Sequence, residues 1–291
     1  MLERTVVCWN GTPASASALR WALRRARGPR GAPVDVFDVV DRGLFEGDPR
    51  ALERATVQEE ERFDAALRGL GELYPGTVGA SALLVGDPLE VLLGQAGPRT
   101  LIVVGSSPRI GPRLRYGWSF GARLATNAVG AVAIVPQEEE TVAGARGGVT
   151  VGVDGSDTAE IALAFASDEA QQLDQPLKVV HCWREPLADE PLIVPDEDFV
   201  DSHERAHREL LDDQLRRLRA SRPGIEAEPV LLRRRPVQGL RLEAERAFML
   251  VVGSRGLTGW RRAWVGSVSH GVVLDLAAPT VVVGPETSAD L

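Results

Sequence analysis

Lysine and cysteine are nearly absent from this 291-residue chain, in which Lys178 is the one lysine and Cys8 and Cys182 are the two cysteines. The cysteines lie in separate apolar runs and form no C-x-x-C pattern, so we expect small buried side chains rather than a disulfide or a metal site. No apolar run approaches the ~20 residues that a membrane helix needs, and no signal peptide precedes the first apolar run. These absences favour a cytoplasmic protein without a membrane partner.

Basic residues are also fewer than acidic residues. The chain has 33 lysine and arginine residues against 41 aspartate and glutamate residues, a net charge of −8, which argues against nucleic acid as a partner. No Walker A motif occurs, and no G-x-G-x-x-G pattern follows the first apolar run of either half. The 44% hydrophobic and 25% charged content is typical of a globular protein with one large or two ordinary domains.

An internal repeat organises the chain. Residues 6–19 resemble residues 150–163, with Asn10 aligned with Asp154, and residues 101–106 resemble residues 250–254. The stretch between the repeats, residues 137–148, is first acidic and then rich in small residues, which predicts a flexible linker. The repeat therefore predicts two domains, residues 1–140 and 147–291.

Apolar strand patterns alternate with helical patterns in each half. In the second half we predict strands near 149–154, 177–183, 228–232, 248–253 and 280–284, and helices near 157–173, 197–220, 236–246 and 267–277. The first half repeats this order, with its long helix near 49–73. The pattern predicts an α/β fold of two tandem doubly wound domains, each a Rossmann-like five-stranded parallel sheet with helices on both faces. Such sheets bind ligands at the carboxyl ends of their strands.

A glycine-rich loop follows the fourth predicted strand of the second half. Gly253, Gly256, Gly266 and Ser267 have the spacing G-x2-G-x9-G-S, and a predicted helix begins at Ser267. Glycines let a ligand approach the backbone closely, and the amides and dipole of a helix N-terminus favour negative charge. The segment therefore predicts a phosphate-binding loop.

These motifs resemble a tandem universal stress protein, a family with an adenine nucleotide alpha hydrolase-like fold, and the resemblance covers nearly the whole chain. It implies that the second domain binds ATP, accompanied by Mg²⁺. It places Asp154 near the ribose or phosphates, the backbone around Cys182 against adenine, and Val252 beside the base. The phosphates are expected on the Ser267 hydroxyl and on the backbone amides of Gly253, Gly256, Ser267 and Val268.

The first half departs from this pattern. Pro108 replaces the second glycine and removes a backbone donor, Trp118 stands at the position of Gly266, and Asn10 replaces Asp154. We therefore expect no nucleotide in the first half. The resemblance also implies that the halves pair through residues 133–136 and 281–284 as a pseudo-twofold unit, with a homodimer of two chains as a further step. In the second half, Phe248 stands where the family commonly has an acidic residue.

Other functions stay open at this point. Residues 203–207 match the H-E-x-x-H signature of zinc peptidases, but they lie in the long amphipathic helix, so a solvated helical face is the simpler interpretation. Ser267 has no adjacent base that would make it a nucleophile. The chain is expected to be a stress-response or signalling protein that acts on an unknown protein partner through ligand-dependent interactions. Alternatives are an interaction module of the same fold that uses no nucleotide, and a slow ATPase in which Asp154 positions water.

Overall fold

A computed structural model describes residues 2–28, 31–107, 119–184, 197–254 and 266–288, apart from the side chains of residues 140 and 197. Strands and helices alternate along the first half. They are β1 (Arg4–Cys8), α1 (Pro13–Ala26), β2 (Val34–Asp41), a 3-10 turn (Arg42–Phe45), α2 (Pro49–Leu73), β3 (Val78–Gly86), α3 (Pro88–Leu93), β4 (Thr100–Ser106), α4 (Phe120–Asn127) and β5 (Ala131–Pro136).

The second half repeats this order after a short helix, α5 (Glu140–Gly144). Its elements are β6 (Val149–Gly152), α6 (Asp157–Leu173), β7 (Leu177–Trp183), α7 (Glu197–Ser221), β8 (Ala227–Arg233), α8 (Pro236–Ala244), β9 (Met249–Gly253), α9 (Ser267–Leu274) and β10 (Thr280–Val283). The predicted bounds of α2 and α6 match the observed ones. Helices α8 and α9 end two or three residues earlier than predicted, within the usual fraying of helix ends.

Short polar side chains set the beginnings of most helices. Thr12, Asp48, Asp87 and Ser156 cap α1, α2, α3 and α6 by accepting hydrogen bonds from backbone amides of the first turn. Proline follows the cap in the first three of these helices, where its fixed φ suits the first helical position. The local sequence thus stops each strand and starts each helix at the carboxyl edge of the sheet.

All ten strands join one sheet, in the order β3-β2-β1-β4-β5-β10-β9-β6-β7-β8. Within each half the strands pair in parallel, and the halves meet where β5 and β10 pair antiparallel, with Ala133 opposite Val281. The expected pairing of the two halves through their final strands is confirmed. Because this pairing joins them edge to edge, the two expected five-stranded sheets form one continuous ten-stranded sheet.

Helices cover both faces of this sheet over two apolar layers. One layer joins the inner faces of α1, α2, α6 and α7 to alternate strand residues, among them Trp21, Phe63 and Leu215. The other joins α3, α4, α8 and α9 to the remaining strand residues, among them Leu92 and Leu240. Strands that are buried on both faces explain the continuous apolar runs of the sequence.

The two halves also contact each other through their first helices. Arg25 on α1 forms a two-pronged ion pair with Glu169 on α6, at 2.6 and 2.5 Å, and each side chain is 3% exposed. Trp21 stacks on Phe248 with ring centroids 5.6 Å apart, and its indole N–H donates to the Phe248 carbonyl at 3.1 Å. Phe248, which departs from the family pattern, is therefore an interface residue.

The segment between the halves is more ordered than its composition predicts. It contains helix α5, and the Arg146 side chain is 8% exposed. That guanidinium pairs with Glu138 and donates to the carbonyls of Glu245 and Ala277 at 2.7 and 2.8 Å. A single arginine thus fixes the predicted flexible linker to the second half.

Within the described part of the chain, every helix is too short or too polar to serve as a membrane-crossing segment.

Candidate functional site

A pocket of about 220 Å³ lies at the carboxyl ends of β6, β7 and β9, beside the N-terminus of α9. Every predicted ligand residue within the described ranges lines it: Asp154, Cys182, Val252, Gly253, Gly266, Ser267 and Val268. Gly256 lies outside the described residues. The structure thus brings together side chains that are more than a hundred positions apart in sequence, although their roles as ligands stay predictions.

The N-terminus of α9 opens into this pocket without a side-chain cap. Gly266 is the N-cap residue, and it offers no side chain to the amides of the first turn. The backbone amide of His270 donates the first hydrogen bond within the helix, to the Gly266 carbonyl at 2.9 Å. The amides before it have no intrahelical partner, because the first turn of any helix lacks one. An anion in the pocket would meet these amides and the positive end of the helix dipole.

The opposite wall of the pocket carries the turn between β6 and α6. Asp154 accepts hydrogen bonds from the Ser156 hydroxyl at 2.5 Å and from the Ser156 amide at 3.1 Å. Ser156 and Thr158 also line the pocket, two hydroxyls that the sequence analysis did not single out. The Asp154 carboxylate is therefore held in place by its own turn and faces the same space as the α9 amides.

The inner end of the pocket is apolar. Val180, Cys182, Leu240 and Val252 line it, together with Pro236 at the start of α8. Burial, and secondarily the charge of Glu243, raises the pKa of Cys182 to about 11. The thiol is therefore neutral at physiological pH, and this region suits a flat, uncharged group. The position of Cys182 at the apolar end of β7 agrees with the expectation of a small hydrophobic side chain.

Gly253 has a structural role that the sequence analysis did not anticipate. A Cβ at this position would lie 2.5 Å from the carbonyl oxygen of Thr158 on α6. Its repeat equivalent, Gly105, has the same constraint, since a Cβ there would lie 2.3 Å from the backbone of Ala14 on α1. Close packing of the first helix thus requires glycine in both halves, so this glycine alone does not identify a ligand site.

Gly152 on the pocket floor is a more informative glycine. A Cβ added here would lie 2.9 Å from the Leu240 side chain, so a larger residue would crowd the apolar end of the pocket. The repeat equivalent of Gly152 is Cys8, whose side chain packs against the layer that contains Leu92. Burial, and then the charge of Asp38, raises the pKa of Cys8 to about 12. Sequence reasoning missed this difference, which was visible in the alignment of the repeats.

The first half keeps the turn but changes its charge. The Asn10 side-chain oxygen accepts a hydrogen bond from the Thr12 hydroxyl at 2.7 Å, as the Asp154 carboxylate does from Ser156. The Arg62 guanidinium donates to the Asn10 backbone carbonyl at 3.0 Å. The predicted obstacles at Pro108 and Trp118 lie outside the described residues. The replacement of Gly152 by Cys8 is an independent reason to expect less room in the first half.

The H-E-x-x-H motif lies on α7, away from the pocket lining. The His203 ring bonds to the Phe199 carbonyl through Nδ1 at 2.9 Å, and the His207 Nδ1 lies 2.8 Å from the Nε2 of His181 on β7. Within the described ranges, no group of three or more histidine, cysteine or carboxylate residues is arranged to hold a metal ion. The motif histidines therefore take part in hydrogen bonds of the fold.

Comparison with known proteins agrees with the fold and with the repeat. Residues 147–284 match the model of the universal stress protein family. A universal stress protein of Mycobacterium tuberculosis is 28% identical over 307 residues, covering 95% of this chain and 93% of its own. The chain belongs to the universal stress protein family. One from Mycolicibacterium smegmatis is 29% identical over 283 residues, covering 93% of each chain.

Solved structures of the family show the same architecture over the full length. A universal stress protein from Archaeoglobus fulgidus superposes with a TM-score of 0.65 at 15% identity, covering 97% of this chain and 98% of its own. Since the mycobacterial relatives span both halves, the chain is a tandem universal stress protein. A further family member, solved in complex with cAMP, is 26% identical and covers 50% of this chain and 99% of its own, with a TM-score of 0.37.

Proposed function

We propose that the second half of this universal stress protein binds ATP, and that the protein is a cytoplasmic stress-response or signalling component acting through ligand-dependent interactions. The proposal treats residues 1–140 and 147–291 as two domains, of which the second carries the nucleotide. A partner protein would respond to the ligand state, and two chains would assemble into a homodimer.

The uncapped N-terminus of α9 carries this proposal. First-turn amides that the N-cap residue Gly266 leaves without a side-chain partner, beside a partly apolar pocket, are the combination that an anionic ligand with an aromatic ring requires. Ser267 opens the helix, and its hydroxyl adds a further hydrogen-bond donor.

The lining residues fit a nucleotide laid along the pocket. Adenine would lie at the apolar end, against the backbone around Cys182 and beside Val252. Asp154 would lie near the ribose or the first phosphate. The phosphates would bind the amides of Gly253, Gly256, Ser267 and Val268, and Mg²⁺ would accompany them to balance their charge. The first half would stay without nucleotide.

Copurification with nucleotide tests the proposal most directly. The purified chain is denatured, and the supernatant is analysed by mass spectrometry for adenine nucleotides. We expect ATP or a related nucleotide close to one equivalent per chain. We also expect the melting temperature to rise when ATP and Mg²⁺ are added to nucleotide-free protein, since a ligand that binds only the folded state stabilises it.

An interaction module that uses no nucleotide is the rival interpretation. It is favoured if no nucleotide copurifies and ATP with Mg²⁺ leaves the melting temperature unchanged. Slow hydrolysis is a separate outcome, read as phosphate release that depends on Asp154. Release that persists in an Asp154→Ala variant would exclude a water-positioning role for that carboxylate.

A further inference from the structure

Each half holds a titratable side chain at the same place on its second strand. In the first half, Cys8 on β1 pairs with Phe37 on β2, so the next residue of β2 is Asp38. In the second half, Gly152 pairs with Val180, so the next residue of β7 is His181. Asp38 is 1% exposed and His181 is 4% exposed. Buried titratable side chains at repeat-equivalent positions are unusual enough to need a reason, because burial disfavours their charged forms.

The long helix supplies a titratable partner at the same place in both halves. Helices α2 and α7 both have 25 residues, and the eleventh residue is Glu59 in one and His207 in the other. Four residues further along each helix, Phe63 and Leu211 fill the same apolar layer of the core. The two pairs, Asp38 with Glu59 and His181 with His207, are therefore structural equivalents.

Hydrogen bonds fix the protonation of the second-half pair. The His181 Nδ1 lies 2.8 Å from the Val153 carbonyl, which accepts only, so this nitrogen donates. A neutral His181 then accepts at Nε2, and the His207 Nδ1, at 2.8 Å, is the donor. The arrangement suits two neutral rings. The pKa of His207 is lowered by burial and by its neighbours His181 and His203.

The first-half pair is made of carboxyl groups. Asp38 on β2 and Glu59 on α2 are neighbouring carboxyl groups, so their charges repel when both are ionised. Glu59 is ion-paired with Arg62, which favours the charged form of Glu59 and leaves Asp38 as the group to hold a proton. Burial, and then the neighbouring Glu59, raises the pKa of Asp38 to about 7, against smaller opposing effects of the Val39 amide and Arg62. Its Oδ2 has no hydrogen-bond partner among the residues that the structure describes, so its charged form is poorly satisfied.

The remaining charged and titratable neighbours are few within the described ranges. Around Asp38 they are Glu59 and Arg62 on α2 and the Cys8 thiol on β1. Around His207 they are His181 on β7 and His203 on α7. Trp183 stacks on the His207 ring, with ring centroids 5.2 Å apart. The guanidinium carbon of Arg233 on β8 lies over the Trp183 ring, 5.7 Å from its centroid. Among the described residues, the charged or titratable neighbours of His207 are the two histidines alone, and Arg62 beside Asp38 is already paired with Glu59.

We propose that these equivalent pairs make the two halves respond to pH in opposite directions, the first half gaining stability on acidification and the second half losing it. Asp38 binds its proton more tightly in the folded chain than its ordinary value of 3.8 implies. The contribution of Asp38 to the free energy of unfolding is therefore complete below about pH 4 and is lost as the pH rises through about 7. His207 binds its proton less tightly than its ordinary value of 6.5 implies. Its contribution is complete above about pH 6.5 and is lost as the pH falls through the folded value.

Nitrogen-15 NMR of the imidazole rings tests the second pair directly in the full chain, which has four histidines. We expect His181 and His207 both to carry their proton on Nδ1 at neutral pH, and His207 to titrate below the ordinary histidine value of 6.5. An Nε2-protonated His181, or a His207 that titrates no lower than that ordinary value, would overturn the proposal for this half.

Matched variants test both pairs through stability. Asp38→Asn keeps a donor toward Glu59 without a titrating group, and His207→Asn keeps a donor toward His181. Relative to the unaltered chain, we expect Asp38→Asn to raise the melting temperature by about 4 °C at pH 8 and to lose that gain as the pH falls to about 5. His207→Asn should raise the melting temperature by a similar amount at about pH 5, and should leave it unchanged at pH 8.

Neighbouring substitutions on the same helices serve as controls. Glu60→Gln and Glu209→Gln change exposed residues one position from Glu59 and two positions from His207, and their differences from the unaltered chain should stay nearly constant with pH. If the Asp38→Asn and His207→Asn differences are equally constant, or have the opposite sign, the two pairs are not proton-sensitive devices and the proposal fails. Both measurements use nucleotide-free protein, so their outcome does not depend on whether ATP binds.

Discussion

The two halves of this universal stress protein have the same architecture but differ in the side chains around the equivalent strand ends. The β4–α4 connection of the first half ends at Ser119, whose hydroxyl accepts from the Ala122 amide at 3.2 Å and so caps α4. The β9–α9 connection ends at Gly266, which has no side chain to cap the amides of α9. Cys8 stands at the repeat position of Gly152, where a Cβ would lie 2.9 Å from Leu240. The difference teaches that a few side chains can change the space and the backbone donors at one edge of the sheet while every strand and helix is kept.

Copying into Gly266 the residue that the repeat alignment places opposite it, Trp118, should have the largest effect on binding. In Gly266→Trp, an indole would stand in front of the α9 amides. We expect ATP binding to fall by more than about 100-fold, which is roughly 2.7 kcal/mol, with the fold retained. Isothermal titration with ATP and Mg²⁺ measures the change.

A distant glycine provides the control for that substitution. Gly144 on α5 has nothing within 4 Å of an added Cβ, so Gly144→Trp should bind ATP normally. The converse change, Trp118→Gly in the first half, should not create a site, because Pro108 and Cys8 remain. Normal ATP binding by Gly266→Trp would show that the phosphates lie elsewhere.

Breaking the ion pair between the halves should cost about 3 kcal/mol of unfolding free energy. Glu169→Gln leaves the Arg25 guanidinium charged and buried, and removing one partner of a buried pair is far costlier than removing both. Urea denaturation followed by circular dichroism gives the loss.

The same helix offers a matched control. Glu160 on α6 pairs with Arg217 at the surface, where both side chains are more than a third exposed, so Glu160→Gln should cost less than about 1 kcal/mol. Arg25→Met combined with Glu169→Leu should recover most of the stability lost in Glu169→Gln. Equal losses for the two glutamate variants would mean that the interface does not depend on this pair.

Copying the pocket floor should have a smaller effect on binding. In Gly152→Cys the new side chain would press on Leu240, which is itself buried, and push it toward the adenine end of the pocket. We expect ATP to bind about tenfold more weakly, roughly 1.4 kcal/mol, with less change for inorganic triphosphate. Competition between the two ligands separates these contributions, and an equal loss for both would place the base elsewhere.

Exchanging the helix caps should produce the smallest effect. Ser119→Ala removes the cap of α4 and should cost about 1 kcal/mol of stability. Gly266→Ser gives α9 a capping hydroxyl, which should stabilise the nucleotide-free protein slightly and weaken ATP binding, because the new hydroxyl competes for the same amides. Thermal denaturation with and without ATP reads both changes. A Gly266→Ser variant that binds ATP more tightly would contradict the proposed role of these amides.

Much of this fold was predictable from the sequence, because local signals agree with the tertiary structure. The 3.6-residue periodicity of 49–73 and 157–173 and the capping residues Asp48 and Ser156 set the bounds of α2 and α6. The pairing of β5 with β10 was an implication of the family resemblance, and no local signal of the two strands predicted it. The linker was predicted less well, since the ordering of Arg146 depends on carbonyls about a hundred residues further along the chain.

The parts of the candidate site that depend on local backbone geometry were predictable from the sequence. The parts that depend on the packing of distant elements were less predictable. The glycine and serine spacing marked the strand-loop-helix unit around Gly266 and Ser267. The significance of Gly152, Pro236 and Leu240 depends on how α8 packs across β6 and β7, which no local pattern reveals. The packing constraint on Gly253 could not be predicted either, because the approach of α6 is a tertiary contact.

The antiparallel contact between β5 and β10 decides where the strand ends of the two halves lie. Because each half is parallel within itself, strand carboxyl ends point toward one edge of the shared sheet in the first half and toward the opposite edge in the second. A macromolecule that contacts the edge near Gly266 would therefore leave the edge near Asn10 accessible to another molecule.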